Sequence, residues 1–171
     1  MKILVTGGAG FIGSHVAEAY LRDGHEVVIV DDLSTGSPLN VPRGASLTGM
    51  DLCEGDLEAV FARERPDVVS HHAAQMSVRR SVEAPDFDAR VNIVGSIRLL
   101  EAALRHGVRG VIFASTGGAL YGEQDYFPAD EEHPVRPVSP YGVAKASVEQ
   151  YLFYYHAVHG LPSVALRYAN V

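Results

Sequence analysis

The chain has 171 residues, 47% of them apolar and 20% charged, a size and mix that suit one folded domain with a substantial core. Its 14 basic and 21 acidic side chains leave a formal charge of −7. That argues against a nucleic-acid partner or an anionic membrane surface, so an anionic ligand must be held by specific donors. One cysteine, Cys53, leaves no internal disulfide and no four-thiolate metal site. With no signal-peptide pattern and no apolar run near 20 residues, the expected location is the cytoplasm.

In chain order, Lys2 to Thr6 is a short apolar run ending in glycines, which reads as a buried parallel strand. Phe11 to Arg22 follows as a helix with Ile12, Val16, Ala19 and Tyr20 on its stripe and Gly24 as its stop. Glu26 to Val30 is a second strand, and Ser34 to Gly44 is turn-rich. Ser46 to Met50 reads as a third strand. Glu54 to Glu64 is a short helix with Leu57, Val60 and Phe61 on one face, stopped by Pro66. Val68 to His71 is a fourth strand. Pro85 opens a long helix to about His106, its stripe drawn from Phe87, Val91, Val94 and Leu100 or Leu104. Val111 to Ala114 is a fifth strand, and Gly122 to Pro137 is a polar, proline-bearing loop. Ser139 and Pro140 are an N-cap and a first-turn proline for a helix to His159, ended by Gly160. Ser163 to Leu166 is a sixth strand. Such alternation predicts a doubly wound parallel sheet between two helical layers, α/β/α.

Between the first strand and first helix lies Thr6-Gly7-Gly8-Ala9-Gly10-Phe11-Ile12-Gly13. Its glycines fit both G-x-x-G-x-x-G and G-x-G-x-x-G. One glycine makes the tight turn, one lets the backbone touch a pyrophosphate, and one lets helix and strand pack closely. The helix N terminus adds free N–H groups and partial positive charge. Strand, glycine turn and helix together are the context of a Rossmann dinucleotide site. Asp31 closes the second strand, 18 residues after Gly13, where a carboxylate accepts ribose hydroxyls and repels a 2′-phosphate. No arginine follows within ten residues, which favours NAD over NADP.

Tyr141-Gly142-Val143-Ala144-Lys145 places a phenol and an ammonium four residues apart on one helix face. To act as a base near neutral pH, a phenol of pKa about 10 needs its phenolate favoured by about three units, or ~4 kcal/mol, which a neighbouring cation supplies. Tyr-x-x-x-Lys alone is common by chance. Here Ser115 and Thr116 follow the fifth strand at the carboxyl edge of the sheet, where a hydroxyl can orient a substrate alcohol beside Tyr141.

These segments resemble the extended short-chain dehydrogenase/reductase superfamily and, within it, the UDP-glucose 4-epimerase-like members. The likeness runs through residues 6–15, 30–36, 71–78, 91–96, 113–123, 139–145 and 166–171. It implies that Gly7, Gly10, Phe11, Ile12 and Gly13 cradle an NAD pyrophosphate and that Asp31 holds the adenine ribose. Asp51 and Leu52 would lie by the adenine. Ala73, Ala74 and Gln75 would line the cofactor, with Asn92 in the helix behind. Thr116, Tyr141 and Lys145 would be the catalytic hydroxyl, tyrosine and lysine, and Asn170 would touch the sugar nucleotide. Asp32 stands where the family usually has Asn, and Ala169 where it usually has an aromatic residue, which bears on the shape of the sugar pocket.

The implied reaction is an isomerisation of galactose metabolism. Tyr141 takes the C4 hydroxyl proton of a UDP-hexose, hydride passes to NAD, and hydride returns to the other face of a 4-keto sugar. Dehydratases of the superfamily usually carry Asp-Glu after the catalytic threonine, and decarboxylation usually uses a glutamate there; Gly117-Gly118 disfavour both. The alternatives are a dehydratase or reductase of the same superfamily, or an NAD-binding module without turnover. The resemblance also implies a C-terminal substrate lobe beyond this sequence, and a homodimer through the helices at 85–106 and 140–159. A core or a helix-to-helix face explains Tyr151, Phe153, Tyr154 and Tyr155. His71 and His72 point to opposite sides of a strand, and His156 and His159 lack a third ligand, so no metal site is expected. Arg79 and Arg80 read as a solvated pair.

Overall fold

The apolar runs become the strands of one parallel sheet. In the computed structural model, which describes residues 1–169, these are β1 (Lys2–Thr6), β2 (Glu26–Asp31), β3 (Ser46–Gly49), β4 (Val68–His71), β5 (Gly110–Thr116) and β6 (Ser163–Tyr168). Their order is β3-β2-β1-β4-β5-β6, and every pairing is parallel. β1 and β2 are buried along almost their whole length, as strands covered on both faces must be. The sheet runs out from β1 in both directions. That reversal opens a crevice beyond the carboxyl ends of β1 and β4, where ligands of such sheets bind.

The helices are α1 (Phe11–Arg22), α2 (Leu57–Glu64), α3 (Val78–Glu83), α4 (Pro85–Ala89), α5 (Gly95–Arg105), α6 (Gly117–Leu120) and α7 (Pro140–His159). On one face of the sheet, Leu4, Val69, Val111 and Phe113 pack with α2, α5 and α7. On the other, Ile3, Val5, Val27 and Ile29 pack with Ala17 and Tyr20 of α1. Caps match the residues at the ends. Asp56 accepts from Ala59 N–H at 3.0 Å, and Ser139 Oγ accepts from Gly142 N–H at 3.2 Å. Gly160 closes α7 at φ +70°, a conformation glycine takes without steric cost.

The structure corrects two helix faces. α1 buries Gly13, Ser14 and Ala17 rather than Ile12, Val16 and Ala19, because close approach to the strands admits small residues there. The long helix from Pro85 is interrupted by a π turn over Arg90–Val94 between α4 and α5. An extra residue in that turn rotates the helix phase, so Phe87 and Val94 face outward. The inward positions are Asp88, Asn92 and Ser96, followed by Leu99 and Ala103. Helices α3 and α6 are additions to the sequence reading, each only one or two turns long. β5 and β6 extend to Thr116 and Tyr168, and α2 starts only at Leu57.

Leu57, Val60 and Phe61 face the core as their spacing predicts, and Phe61 is fully enclosed. Phe61→Ala is expected to cost about 3–5 kcal/mol in urea unfolding, through lost transfer free energy and a residual cavity.

Candidate functional site

The glycine turn is a three-way contact. Gly7 lies at φ +67°, and a Cβ there would come within 2.5 Å of Ala73 N. A Cβ on Gly13 would sit 2.2 Å from Gly7 O. Turn, helix and β4 loop therefore meet backbone to backbone. Gly10 caps α1 without a side-chain bond, and the first turn carries no acidic residue. The first N–H groups of α1, which no helix carbonyl reaches, are left with the positive end of the helix dipole. Exposed Phe11 and half-buried Ile12 flank them. The arrangement suits a phosphate.

Asp31 ends β2 almost fully buried. Its Oδ2 accepts from Ala9 N–H and its Oδ1 from Leu33 N–H, both at 2.9 Å. The carboxylate thus braces the glycine turn, and each oxygen keeps a second lone-pair site for a ligand. Leu33 adopts φ +60°, an unusual conformation for a side-chain-bearing residue, held by that bond. Beyond β3, exposed Asp51 accepts from Cys53 N–H at 2.6 Å, and Leu52 is buried behind it. Asp32 is taken up by Ser34, whose N–H and Oγ both donate to it.

The loop after β4 is pinned from both sides. Ala73 N–H donates to Thr6 Oγ1 at 3.3 Å. Gln75 N–H donates to Asn92 Oδ1, and Asn92 Nδ2 returns a bond to Gln75 O, both at 2.9 Å. Ala74 is carried between them. Behind the loop runs a buried chain with a fixed direction. Ser96 Oγ donates to Asn92 O at 2.6 Å, so it accepts from His71 Nε2 at 2.9 Å. His71 Nδ1 then accepts from Thr6 Oγ1 at 2.6 Å. Burial, with Lys145 and His72 nearby, drops the His71 pKa to about 3, so the ring is neutral and its tautomer is set by its partners. His72 turns the other way, to Ser70 Oγ. Asp88 accepts from Gln75 Nε2 and Asn92 Nδ2. The hydrogen-bonding roles of His71, Asp88 and Ser96 were not read from the sequence. The legible signal was the step of four that puts Asp88, Asn92 and Ser96 on one face of an otherwise apolar helix.

On α7, Lys145 is 4% exposed. Its Nζ donates to Ala114 O at 2.8 Å and lies 4.6 Å from the Phe113 ring centroid and 5.9 Å from that of Tyr141. Burial lowers its pKa to about 8, against the opposing charges of Asp88 and Glu149. The Tyr141 phenol is raised, first by burial and then by the Asp88 charge. In the free chain the neighbouring Lys145 does not offset burial and the Asp88 charge at the phenol. Of the two hydroxyls after β5, Ser115 donates to Glu149 at 2.5 Å and is spent. Thr116 Oγ1 accepts from Ala119 N–H at 3.2 Å as the cap of α6, which leaves its proton free to donate. α6 abuts the first turn of α7 so closely that a Cβ on Gly142 would lie 2.4 Å from Ala119 O. Thr116 and Tyr141 are thereby carried to the same edge. Asn170 lies outside the described residues. Arg79 pairs with Glu83 in solvent, and Arg80 covers the Phe87 ring.

Gly13→Ala is expected to destabilise the fold by about 3 kcal/mol or more, because the clash is with backbone rather than a flexible side chain; urea unfolding measures it. Lys145 has a native pKa of about 8 against 10.5 unperturbed. Between those values the unfolded chain binds the proton and the folded chain does not, so stability from this group rises with pH. Wild-type stability measured relative to Lys145→Met is therefore expected to climb from about pH 8 toward 10.5, by roughly 3 kcal/mol in all. A flat difference would contradict the buried ammonium.

Residues 3–171 match the family described as the NAD dependent epimerase/dehydratase family. The UDP-glucose 4-epimerase of Mycolicibacterium smegmatis is 44% identical over 176 residues, covering 100% of this chain and 56% of that protein. The crystal structure of the Thermotoga maritima UDP-glucose 4-epimerase with UDP-glucose superposes with a TM-score of 0.97 at 46% identity, over 99% of this chain and 56% of that one. The Thermus thermophilus UDP-glucose 4-epimerase in complex with NAD gives 0.94 at 49% identity, over 98% and 55%. The chain thus spans about half the length of the relatives it matches. Its Rossmann-like sheet, its glycine turn and its similarity along nearly every residue make it a member of the NAD dependent epimerase/dehydratase family.

Proposed function

We propose that the chain is one domain supplying the NAD-binding and proton-handling half of a nucleotide-sugar 4-epimerase of the UDP-glucose/UDP-galactose type. The observation that carries this reading is the meeting, at one sheet edge, of an uncapped α1 N terminus with a buried lysine, a tyrosine and a threonine whose hydroxyl proton is free. Gly7, Gly10, Phe11, Ile12 and Gly13 hold the pyrophosphate. Asp31 takes the adenine ribose, with Asp51 and Leu52 beside the adenine. Ala73, Ala74 and Gln75, backed by Asn92, line the cofactor's reactive end, and Lys145 holds the nicotinamide ribose. Bound NAD supplies a hydride acceptor, and later donor, for the sugar C4.

Tyr141 removes the C4 hydroxyl proton as hydride leaves C4, giving a 4-keto sugar, and returns it when hydride comes back to the other face. Thr116 donates to the C4 oxygen, and Asn170 touches the sugar nucleotide. Because burial and Asp88 keep the phenol protonated in the free chain, the phenolate forms only when Lys145 and an oxidised nicotinamide act on it together. Gly117 and Gly118 open α6 beside Thr116 and carry no acid or base. That supports epimerisation over dehydration.

The protein is further proposed to work in the cytoplasm; among the described residues no helix is long and apolar enough to cross a membrane. A homodimer through the outer faces of α4–α5 and α7 is supported by exposed Val94, Phe153, Tyr154 and Val158.

The test is incubation with NAD and UDP-galactose, with UDP-glucose read by chromatography. Tyr141→Phe is expected to lower turnover by about 10²–10⁴-fold while leaving the NAD-induced rise in melting temperature in place. Turnover that survives in Tyr141→Phe would overturn the assignment of the base. Failure of NAD to raise the melting temperature would overturn the cofactor reading.

A further inference from the structure

Histidines and tyrosines aside, Asp31, Asp88 and Lys145 are the ionisable side chains buried among the described residues. Asp31 is compensated by two backbone N–H groups. Asp88 is not. Its Oδ1 accepts from Gln75 Nε2 at 2.8 Å and Asn92 Nδ2 at 3.0 Å, but its Oδ2 is buried with no hydrogen-bond partner among the described residues. A buried carboxylate left this way is costly unless a cation lies near. The arginines around α4 do not serve. Arg79 pairs with Glu83, Arg90 with Glu54, and Arg80 covers Phe87, all in solvent. Both α3 and α7 pack against α4; the cations of α3 are Arg79 and Arg80, and the buried cation on α7 is Lys145.

Lys145 touches the carbonyl of Ala114 and the Phe113 ring from β5 and lies near the Tyr141 ring of its own helix, and the charged or titratable groups within electrostatic reach of it are Glu149 from α7, Asp88 from α4, and the neutral rings of His71 at the end of β4 and His72 just after it. Glu149 already has a cation, because Arg167 binds both of its oxygens. Asp88 is the acid facing Lys145 with no cation of its own.

We propose that Asp88 is a positioning residue that sets the resting protonation of the site: its buried carboxylate is the counter-charge that keeps Lys145 an ammonium near neutral pH and that, added to burial, tightens the hold of Tyr141 on its proton. The directions of the two titrations agree. The Asp88 charge raises Lys145 against burial and raises Tyr141 together with burial. Its amide partners fix where the charge stands. The same two bonds tie it to Gln75 and Asn92, so the charge is registered to the loop beside the glycine turn. The counter-charge involves groups of this chain alone, whichever substrate is bound.

Asp88→Asn tests it, since the amide oxygen keeps the Oδ1 acceptor and only the charge is lost. Urea unfolding is followed from pH 6 to 10 for the wild type, Asp88→Asn, Lys145→Met and the double variant. The pH at which stability begins to rise relative to the matching Lys145→Met background, about 8 in the wild type, is expected to fall by about one unit in Asp88→Asn, the scale of one lost charge contact. The ultraviolet titration of Tyr141, taken as the difference from Tyr141→Phe, is expected to move down as well. A purely hydrogen-bonding role for Asp88 leaves both titrations in place, and that result would overturn the proposal. If Asp88→Asn does not fold, the double variant decides. Two opposed charges removed together should restore cooperative unfolding, whereas a double variant as disordered as Asp88→Asn refutes the counter-charge.

Discussion

The burial of one ammonium at the carboxyl edge of the sheet constrains much of this structure. Lys145 reaches inward from α7 to a β5 carbonyl, over an aromatic ring, in a place where a cation is disfavoured by desolvation. Keeping it there requires carboxylates on or beside α7, and these in turn need fixing. Glu149 is held by Ser115 and Arg167. Asp88 is held by Gln75 and Asn92. Each of those partners belongs to a different element, so the demand of one charge links β5, β6, α4, the π turn and the β4 loop.

A second, uncharged linkage runs across the crevice at β1 and β4. The glycine turn can approach the β4 loop only because Gly7 has no side chain. The hydroxyl at the end of β1 then serves two neighbours, accepting from Ala73 and donating to His71. His71 passes the order on to Ser96 and thence to the Asn92 carbonyl. Neutral histidine suits this place because a ring with one donor and one acceptor gives the chain a direction. A protonated ring would turn Nδ1 into a donor against the Thr6 hydroxyl, which already receives an N–H from Ala73.

Much of this was legible in the sequence. The strand runs, the α1 and α7 boundaries and the glycine turn rest on local signals: continuous apolar stretches, Gly24 and Gly160 as stops, Ser139-Pro140 as a start. Tyr141 and Lys145 were legible from the step of four on one helix. The phase of the helix after Pro85 was not. Its apolar residues suggested that Phe87 and Val94 face inward, but the π turn and the polar demand of the site put Asp88, Asn92 and Ser96 there instead. Periodicity assumes that the buried face is apolar, and that assumption fails where the buried face borders a site. The raised phenol of Tyr141 was also beyond the sequence, because it depends on burial in the folded chain and then on an acid brought in from another helix.

The polar inner face has a consequence on the outer one. A helix of this composition has a limited number of large apolar residues, and those displaced from the site side must go to the other side. Phe87 and Val94 therefore lie on the outer surface of α4 and the π turn, next to α7, which exposes Phe153, Tyr154 and Val158 of its own. Apolar side chains left in water on two packed helices favour association at roughly 25 cal/mol per Å² covered. The polar furnishing of the site and the exposed apolar surface, to which a second copy is proposed to bind, are thus two results of one helix phase. A change that rotated α4 to bury Phe87 would withdraw Asp88 from Lys145 and remove the proposed dimer surface at the same time.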